Sequence, residues 1–251
     1  MRPALHAEWT KLRTVPAPAW LVLAAAVATV ALGALASRAV TCEPGCGLDA
    51  TKISLTGLQL GQAVVAVLAV LAVGDEYRTG MIRTTLTAVP ARSTLLAAKA
   101  AVVAGAVLAA GALGVGGAIV AGRLILPGQG FADLPATDGA TLRAAVGSVL
   151  YLVLIALLSL GVATLVRDAA TAVGTVLGLL YLLPVLLMVI SDPDWQRRLR
   201  QLTPTEAGQA ISHTVGVDTL PIGPWPGLGI LALWALAALL AGATLLHHRD
   251  A

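Results

Sequence analysis

The sequence predicts an all-α integral membrane protein of six transmembrane helices, with an N-terminal amphipathic interface helix and a further short helix on the cytoplasmic side. Three observations predict it. The 251 residues are 58% hydrophobic and only 12% charged, with a mean hydropathy of +0.88, so lipid must solvate most of the folded chain. Apolar runs recur six times, each near the roughly 20 residues that cross a hydrocarbon layer of about 30 Å. Glycine occurs 26 times while aromatic residues make up 4%, a composition of small side chains that lets helices approach closely.

Taken in order, residues 1–13 place Leu5, Trp9 and Leu12 on one face, with His6, Lys11 and Arg13 around the rest of the wheel; this predicts a helix lying at the membrane surface, with Trp9 at headgroup level. The spans follow at about 17–37, 54–74, 97–121, 144–166, 169–190 and 227–247, in a single transmembrane domain covering 1–251. Ala34-Leu35-Ala36 resembles a signal-peptidase site, but the run before it is too long for a secretory h-region and is read as a retained helix. Arg167-Asp168 alone separates the fourth and fifth spans and so predicts a tight hairpin. The outer loop 191–225 carries Trp195, Leu199 and Leu202 at helical spacing beside Arg197, Arg198 and Arg200, and Thr203-Pro204 marks another helix start; an interfacial loop is the preferred reading over a gate.

With both termini cytoplasmic, nine Lys and Arg lie inside and seven outside, three of the seven together in the loop before the last span. The bias favours a multi-pass protein of the cell membrane in that orientation. The basic residues form no stripe, which sets nucleic acid aside. Cys42 and Cys46 then face the oxidising side, where a small-loop disulfide is the preferred reading.

The connector 75–92 is too polar to span. Ile82, Leu86 and Val89 lie at helical spacing between Gly80 and Pro90, which predicts a short helix at the cytoplasmic face. From the residues alone it either grips a soluble partner or merely anchors two spans.

Glu8-Trp9-Thr10-Lys11-Leu12-Arg13-Thr14 before the first span, and Glu76-Tyr77-Arg78-Thr79-Gly80-Met81-Ile82-Arg83-Thr84-Thr85-Leu86 after the second, resemble membrane subunits of type-2 ABC transporters. Leu202-Thr203-Pro204-Thr205-Glu206-Ala207-Gly208-Gln209-Ala210-Ile211 is similar to a segment of actinobacterial members. The resemblance implies that Glu8, Trp9, Lys11 and Arg13 belong to a connecting helix at the interface. It also implies that Glu76, Tyr77, Arg78, Gly80, Arg83 and Leu86 belong to a coupling helix docking on an ABC ATPase subunit. A second membrane subunit, identical or not, is implied too, with substrate exported between the two. ATP and Mg are expected on the partner and no cofactor on this chain. The Cys42 to Cys46 loop has no counterpart in the resemblance.

No Gly-x-x-x-x-Gly-Lys sequence occurs, so the chain has no phosphate cradle for ATP hydrolysis and is not expected to be an enzyme. Asp, Glu, Lys and Arg are missing from the charge-free runs, the third of which starts at Ala100, and this counts against an ion-coupled carrier. Ser148 and Ser159 have no basic partner in any span and read as helix-packing groups. Gln59 and Gln62, in the outer half of the second span, either line a path or bond across helices. The glycine pairs Gly57/Gly61 and Gly174/Gly178 are no more frequent than chance allows, and His247-His248 reads as a polar helix end in preference to a metal site. The functional reading is a permease subunit of an ATP-driven exporter; the alternative is a six-helix membrane anchor or sensory partner without transport.

Overall fold

The computed structural model describes residues 2–14, 16–43, 46–81, 92–131, 138–189 and 191–248. Six helices are long and apolar enough to cross a membrane, and no strand occurs among the described residues. We number the α-helices α1 (Arg2–Thr14), α2 (Pro16–Ala39), α3 (Ala50–Ser54), α4 (Leu58–Arg78), α5 (Arg92–Ile125), α6 (Gly139–Val166), α7 (Ala169–Leu177), α8 (Leu183–Leu187), α9 (Pro193–Leu202), α10 (Pro204–Gln209) and α11 (Pro224–His248).

Helix α6 is the centre of the bundle. It packs on α4, α5, α7 and α11, and Tyr151, Leu152, Ile155, Leu158 and Leu160 along it are fully buried. Helices α2 and α11 stand at the periphery and expose Trp20, Leu23 and Leu35, and Leu233, Leu236 and Leu240, the apolar outer surface expected where lipid or another membrane helix is the neighbour.

Several boundaries depart from the apolar runs. The second span is broken: α3 passes into a 3-10 turn at Leu55–Gly57 before α4 begins. Asp49 caps α3 by accepting from Lys52 N. The break sits where neighbours have no side chain. A Cβ at Gly57 or Gly61 would collide with Thr29 of α2, and one at Gly122 of α5 with Ser54. The Gly57/Gly61 pair therefore is a close-approach site, whereas Gly174 and Gly178 face open space.

The third span is longer than expected: α5 has 34 residues, about 50 Å at 1.5 Å per residue, so it overshoots the hydrocarbon layer. The fifth span contains a π-turn, Gly178–Leu182, followed by Pro184 in the first turn of α8. The freed Leu180 carbonyl accepts from Thr205 Oγ1 at 3.1 Å. Between the fourth and fifth spans, Arg167 takes φ 62° and Asp168 caps α7 through Thr171 N at 2.8 Å.

The loop 191–225 also departs from an interfacial loop. Helix α9 is exposed, but α10 and the 3-10 turn after it are tucked into the bundle: Ala207 and Ile211 are fully buried. Gly147 of α6 makes room for Ile211, and Gly208 lies against Tyr151 and Leu231. Small residues in the sequence 204–212 explain why a polar-looking segment enters an apolar bundle.

Candidate functional site

Two polar constellations lie at opposite ends of the bundle. At the end that carries α1, three helices bring four charged side chains together. Lys99 Nζ on α5 donates to Glu8 Oε2 at 2.8 Å, to Glu76 Oε1 at 3.0 Å and to the Ala72 carbonyl at 2.9 Å. Lys11 Nζ donates to Glu8 Oε1 at 3.0 Å and to Glu76 Oε1 at 2.6 Å. Glu8, Glu76 and Lys99 are each no more than 6% exposed. Two cations balance two anions, which is what makes their burial tolerable.

The electrostatics follow from that packing. Burial would raise the Glu8 carboxyl, but Lys99 and Lys11 outweigh it and hold the carboxyl below its ordinary range. Burial likewise works against the Lys11 ammonium, while its bonds to Glu76 and Glu8 prevail and raise it. The backbone supports the arrangement: α4 ends at Arg78, Thr79 N and Oγ1 donate to the Asp75 carbonyl, and Gly80 takes φ 71°, the left-handed conformation that stops a helix with little strain when the residue is glycine.

At the opposite end, Gln62 Nε2 donates to Gln59 Oε1 at 3.1 Å, Gln59 Nε2 to Gln209 Oε1 at 2.8 Å and Gln209 Nε2 to the Tyr151 hydroxyl at 3.3 Å. Tyr151 in turn donates to Gln62 Oε1, and Tyr181, within the π-turn, donates to the Gln59 carbonyl. Gln62 and Tyr151 are fully buried. This network ties α4, α6, the fifth span and α10 together.

Further polar contacts tie the segment after α10 to α3 and α6. Asp49 accepts from Thr214 Oγ1 at 2.7 Å and from Val215 N at 2.9 Å; these bonds lower its carboxyl although burial opposes them. Arg143 donates to the His213 carbonyl at 2.7 Å, and burial together with Lys52 lowers His213. Cys42 and Cys46 are joined in a disulfide, with Cα atoms 5.7 Å apart, and Cys42 N donates to the Gln129 carbonyl at 2.8 Å.

The model of the ABC-2 family transporter protein matches residues 4–190, which span α1 through the fifth transmembrane segment. The chain belongs to the ABC-2 transporter family. No curated protein matches it. As an ABC-2 chain it is a membrane permease component of an ABC transporter, in a family whose membrane subunits work with an ATPase and often with a second membrane subunit.

Against that family frame, the ABC-2 chain places its sequence-predicted residues unevenly. Glu8 and Lys11 are in the junction, while Trp9 points outward and is 53% exposed; of Arg13 only the backbone is described. Glu76 faces the interior, 5% exposed, with its carboxylate bonded to Lys99; burial strengthens that pairing because water does not screen it. Arg78 is exposed beside Asp75 at 3.4 Å, and the Tyr77 ring lies 5.7 Å from the Arg167 guanidinium. Arg83 and Leu86 are outside the described residues. Gln59 bonds across helices to Gln209 and Gln62 to Tyr151.

Sequence reasoning missed Lys99, Tyr151, Tyr181 and Gln209. Lys99 carries the best retrievable signal: it lies seven residues into α5, where the neighbouring residues are already apolar. A cation so placed needs a buried anion. No group of three or more metal-ligating side chains occurs among the described residues.

Proposed function

We propose that this permease component is the membrane subunit of an ATP-driven exporter, with ATP and Mg²⁺ held by a separate ATPase subunit and with a second membrane subunit completing the substrate path. The α1 end faces the cytoplasm of a cell-membrane protein, and the segment from Tyr77 to Leu86 is where the ATPase docks. The observation that carries this reading is the buried junction of Glu8, Lys11, Glu76 and Lys99.

The junction lies at the base of the docking segment and joins three elements through one ammonium. A displacement of the α4 end by a partner would move Glu76, and Lys99 would pass that movement to α5 and α1, because separating the charges in a low-dielectric site is costly. At the far end, the Gln–Tyr network would hold α4 against α6 and α10, so motion entering at one end of α4 would be transmitted along the helix to the other.

The test is co-purification with the ATPase subunit and nucleotide-dependent labelling. Arg78→Glu combined with Arg83→Glu is expected to abolish association while leaving the permease folded. Labelling of a cysteine placed at Thr79 by a membrane-impermeant reagent from outside intact cells would overturn the reading, since no cytoplasmic ATPase could reach that segment.

A further inference from the structure

Helix α9 turns its apolar stripe away from the protein. Trp195, Leu199 and Leu202 recur at i, i+4 and i+7 and so share one face, yet Trp195 and Leu202 are 58% and 56% exposed. Polar side chains make the attachment instead: Gln196 Nε2 donates to the Leu187 carbonyl at 3.2 Å and Gln201 Nε2 to the Pro221 carbonyl at 2.5 Å. An amphipathic helix held this way round needs an apolar neighbour that the chain does not supply.

The level of the helix identifies that neighbour. Trp234 Nε1 donates to the Leu202 carbonyl at 2.9 Å, and Trp234 lies ten residues beyond Pro224, about 15 Å along α11. Helix α11 is long and apolar enough to cross a membrane, and Leu233 and Leu236 beside Trp234 are exposed on its surface. The C-terminal end of α9 is thereby held within the length of a spanning helix. That is the level of an interfacial helix, whose apolar face is buried below the headgroups.

Charge selects the lipid. Arg197, Arg198 and Arg200 bring three guanidinium groups into four residues, and none of them makes a hydrogen bond or ion pair among the described residues. The acids close by in sequence leave them unpaired: Asp192 Oδ1 caps the helix by accepting from Asp194 N and Trp195 N at 2.9 and 3.2 Å, and neither Asp194 nor Glu206 pairs with an arginine among the described residues. Residues 192–202 carry three cations against two carboxylates, the acids at the start of the helix and the cations further along. Arg198, three residues after Trp195 and four before Leu202, borders the apolar stripe, where its stem can lie on the acyl chains while the guanidinium reaches the headgroups. A guanidinium fork matches two phosphate oxygens. A zwitterionic headgroup brings its own cation to that phosphate, whereas an anionic phospholipid leaves it for arginine.

We propose that α9 binds anionic phospholipid in the leaflet at the end of the bundle opposite α1, with acyl chains covering Trp195 and Leu202 and the headgroup phosphate accepting from Arg198, while Arg197 and Arg200 add to the positive field. The claim stands apart from the transport reading, because it is measured on this chain in lipid without an ATPase.

The experiment reconstitutes the full chain in lipid and takes the difference in fluorescence quenching between the parent and Trp195→Phe as the signal of Trp195 alone. The quencher is bromine on the acyl chains of either phosphatidylglycerol or phosphatidylcholine. Both brominated lipids should quench Trp195, and phosphatidylglycerol should associate about fivefold more tightly at low ionic strength, the factor for one net charge at an anionic surface. High salt should bring the two lipids together. Arg197→Gln/Arg198→Gln/Arg200→Gln should remove the preference, and Asp194→Asn, which leaves every arginine in place, should increase it. If the triple variant does not fold, Asp194→Asn and the salt series decide. Quenching by neither lipid assigns the face to a protein neighbour, and equal quenching by both at low salt leaves an apolar anchor without headgroup recognition; either result overturns the proposal, as does a preference that survives the triple variant.

Discussion

Replacing Lys99 by methionine keeps the unbranched apolar stem and deletes the charge. Lys99 is 5% exposed, and its ammonium is bonded to Glu8 and Glu76, which are 6% and 5% exposed, and to the Ala72 carbonyl. Without it, two buried carboxylates share one cation and a main-chain carbonyl loses its side-chain donor. Breaking a buried ion pair from one side costs roughly 3–5 kcal/mol. Lys11 still touches both carboxylates and its side chain is 34% exposed, so water and the second cation offset part of that loss, leaving about 3 kcal/mol. At about 2–4 °C per kcal/mol for a chain of this size, the thermal midpoint should fall by about 6–12 °C. Thermal unfolding of the purified chain in detergent, followed by tryptophan fluorescence, measures it. The double variant Glu8→Gln/Lys99→Met leaves a neutral Lys11–Glu76 pair and should be more stable than Lys99→Met alone. If Lys99→Met melts with the parent chain, or the double variant is additive within about 0.5 kcal/mol, the junction does not stabilise the fold as argued.

The Glu8 and Asp49 carboxyls lie below their ordinary values of 4.5 and 3.8. The unfolded chain therefore binds protons first, and stability present above pH 4.5 should be lost as pH falls through the folded values; Glu8→Gln should flatten that acid limb of a midpoint-against-pH curve. Lys11 lies above 10.5, so its contribution should persist to that pH and disappear as the pH rises through its folded value. Gly57→Ala, whose Cβ would meet the Thr29 backbone, should cost about 1–3 kcal/mol of stability, whereas Gly174→Ala, facing open space, should be neutral or stabilising by up to about 1 kcal/mol; midpoints of the two variants compare them directly. Tyr151→Phe removes the donor to Gln62 and the acceptor for Gln209 and should cost about 1–2 kcal/mol, read from the same melts.

How far the site was legible in the sequence depended on whether its signal was local. Glu8, Lys11 and Glu76 could be singled out because they flank apolar runs in recognisable segments. Their mutual contact could not, because it joins positions up to 91 residues apart; Lys99, set among apolar residues, signals that an anion is needed but not which one. Gln59 and Gln62 were conspicuous as polar groups in an apolar helix. Their partners Tyr151, Tyr181 and Gln209 were not, since a tyrosine in a span or a glutamine in a loop is unremarkable until folding gives it a neighbour. The segment 204–212 was misread for a related reason: its polarity suggests an interface, while its burial depends on Gly147 and on the Leu180 carbonyl, to which Pro184 offers no N–H.

By itself, the sequence determined the solvent of this protein and the number and rough placement of its six spans. Length and hydropathy of a run decide whether it crosses a bilayer, because each residue's transfer between water and lipid is nearly independent of the others. Only the tertiary structure decided which charges are buried, which glycines are contacts and which way Glu76 faces. Those are properties of pairs: a charge or a polar group can leave water only where a specific partner meets it, and the partner is supplied by packing.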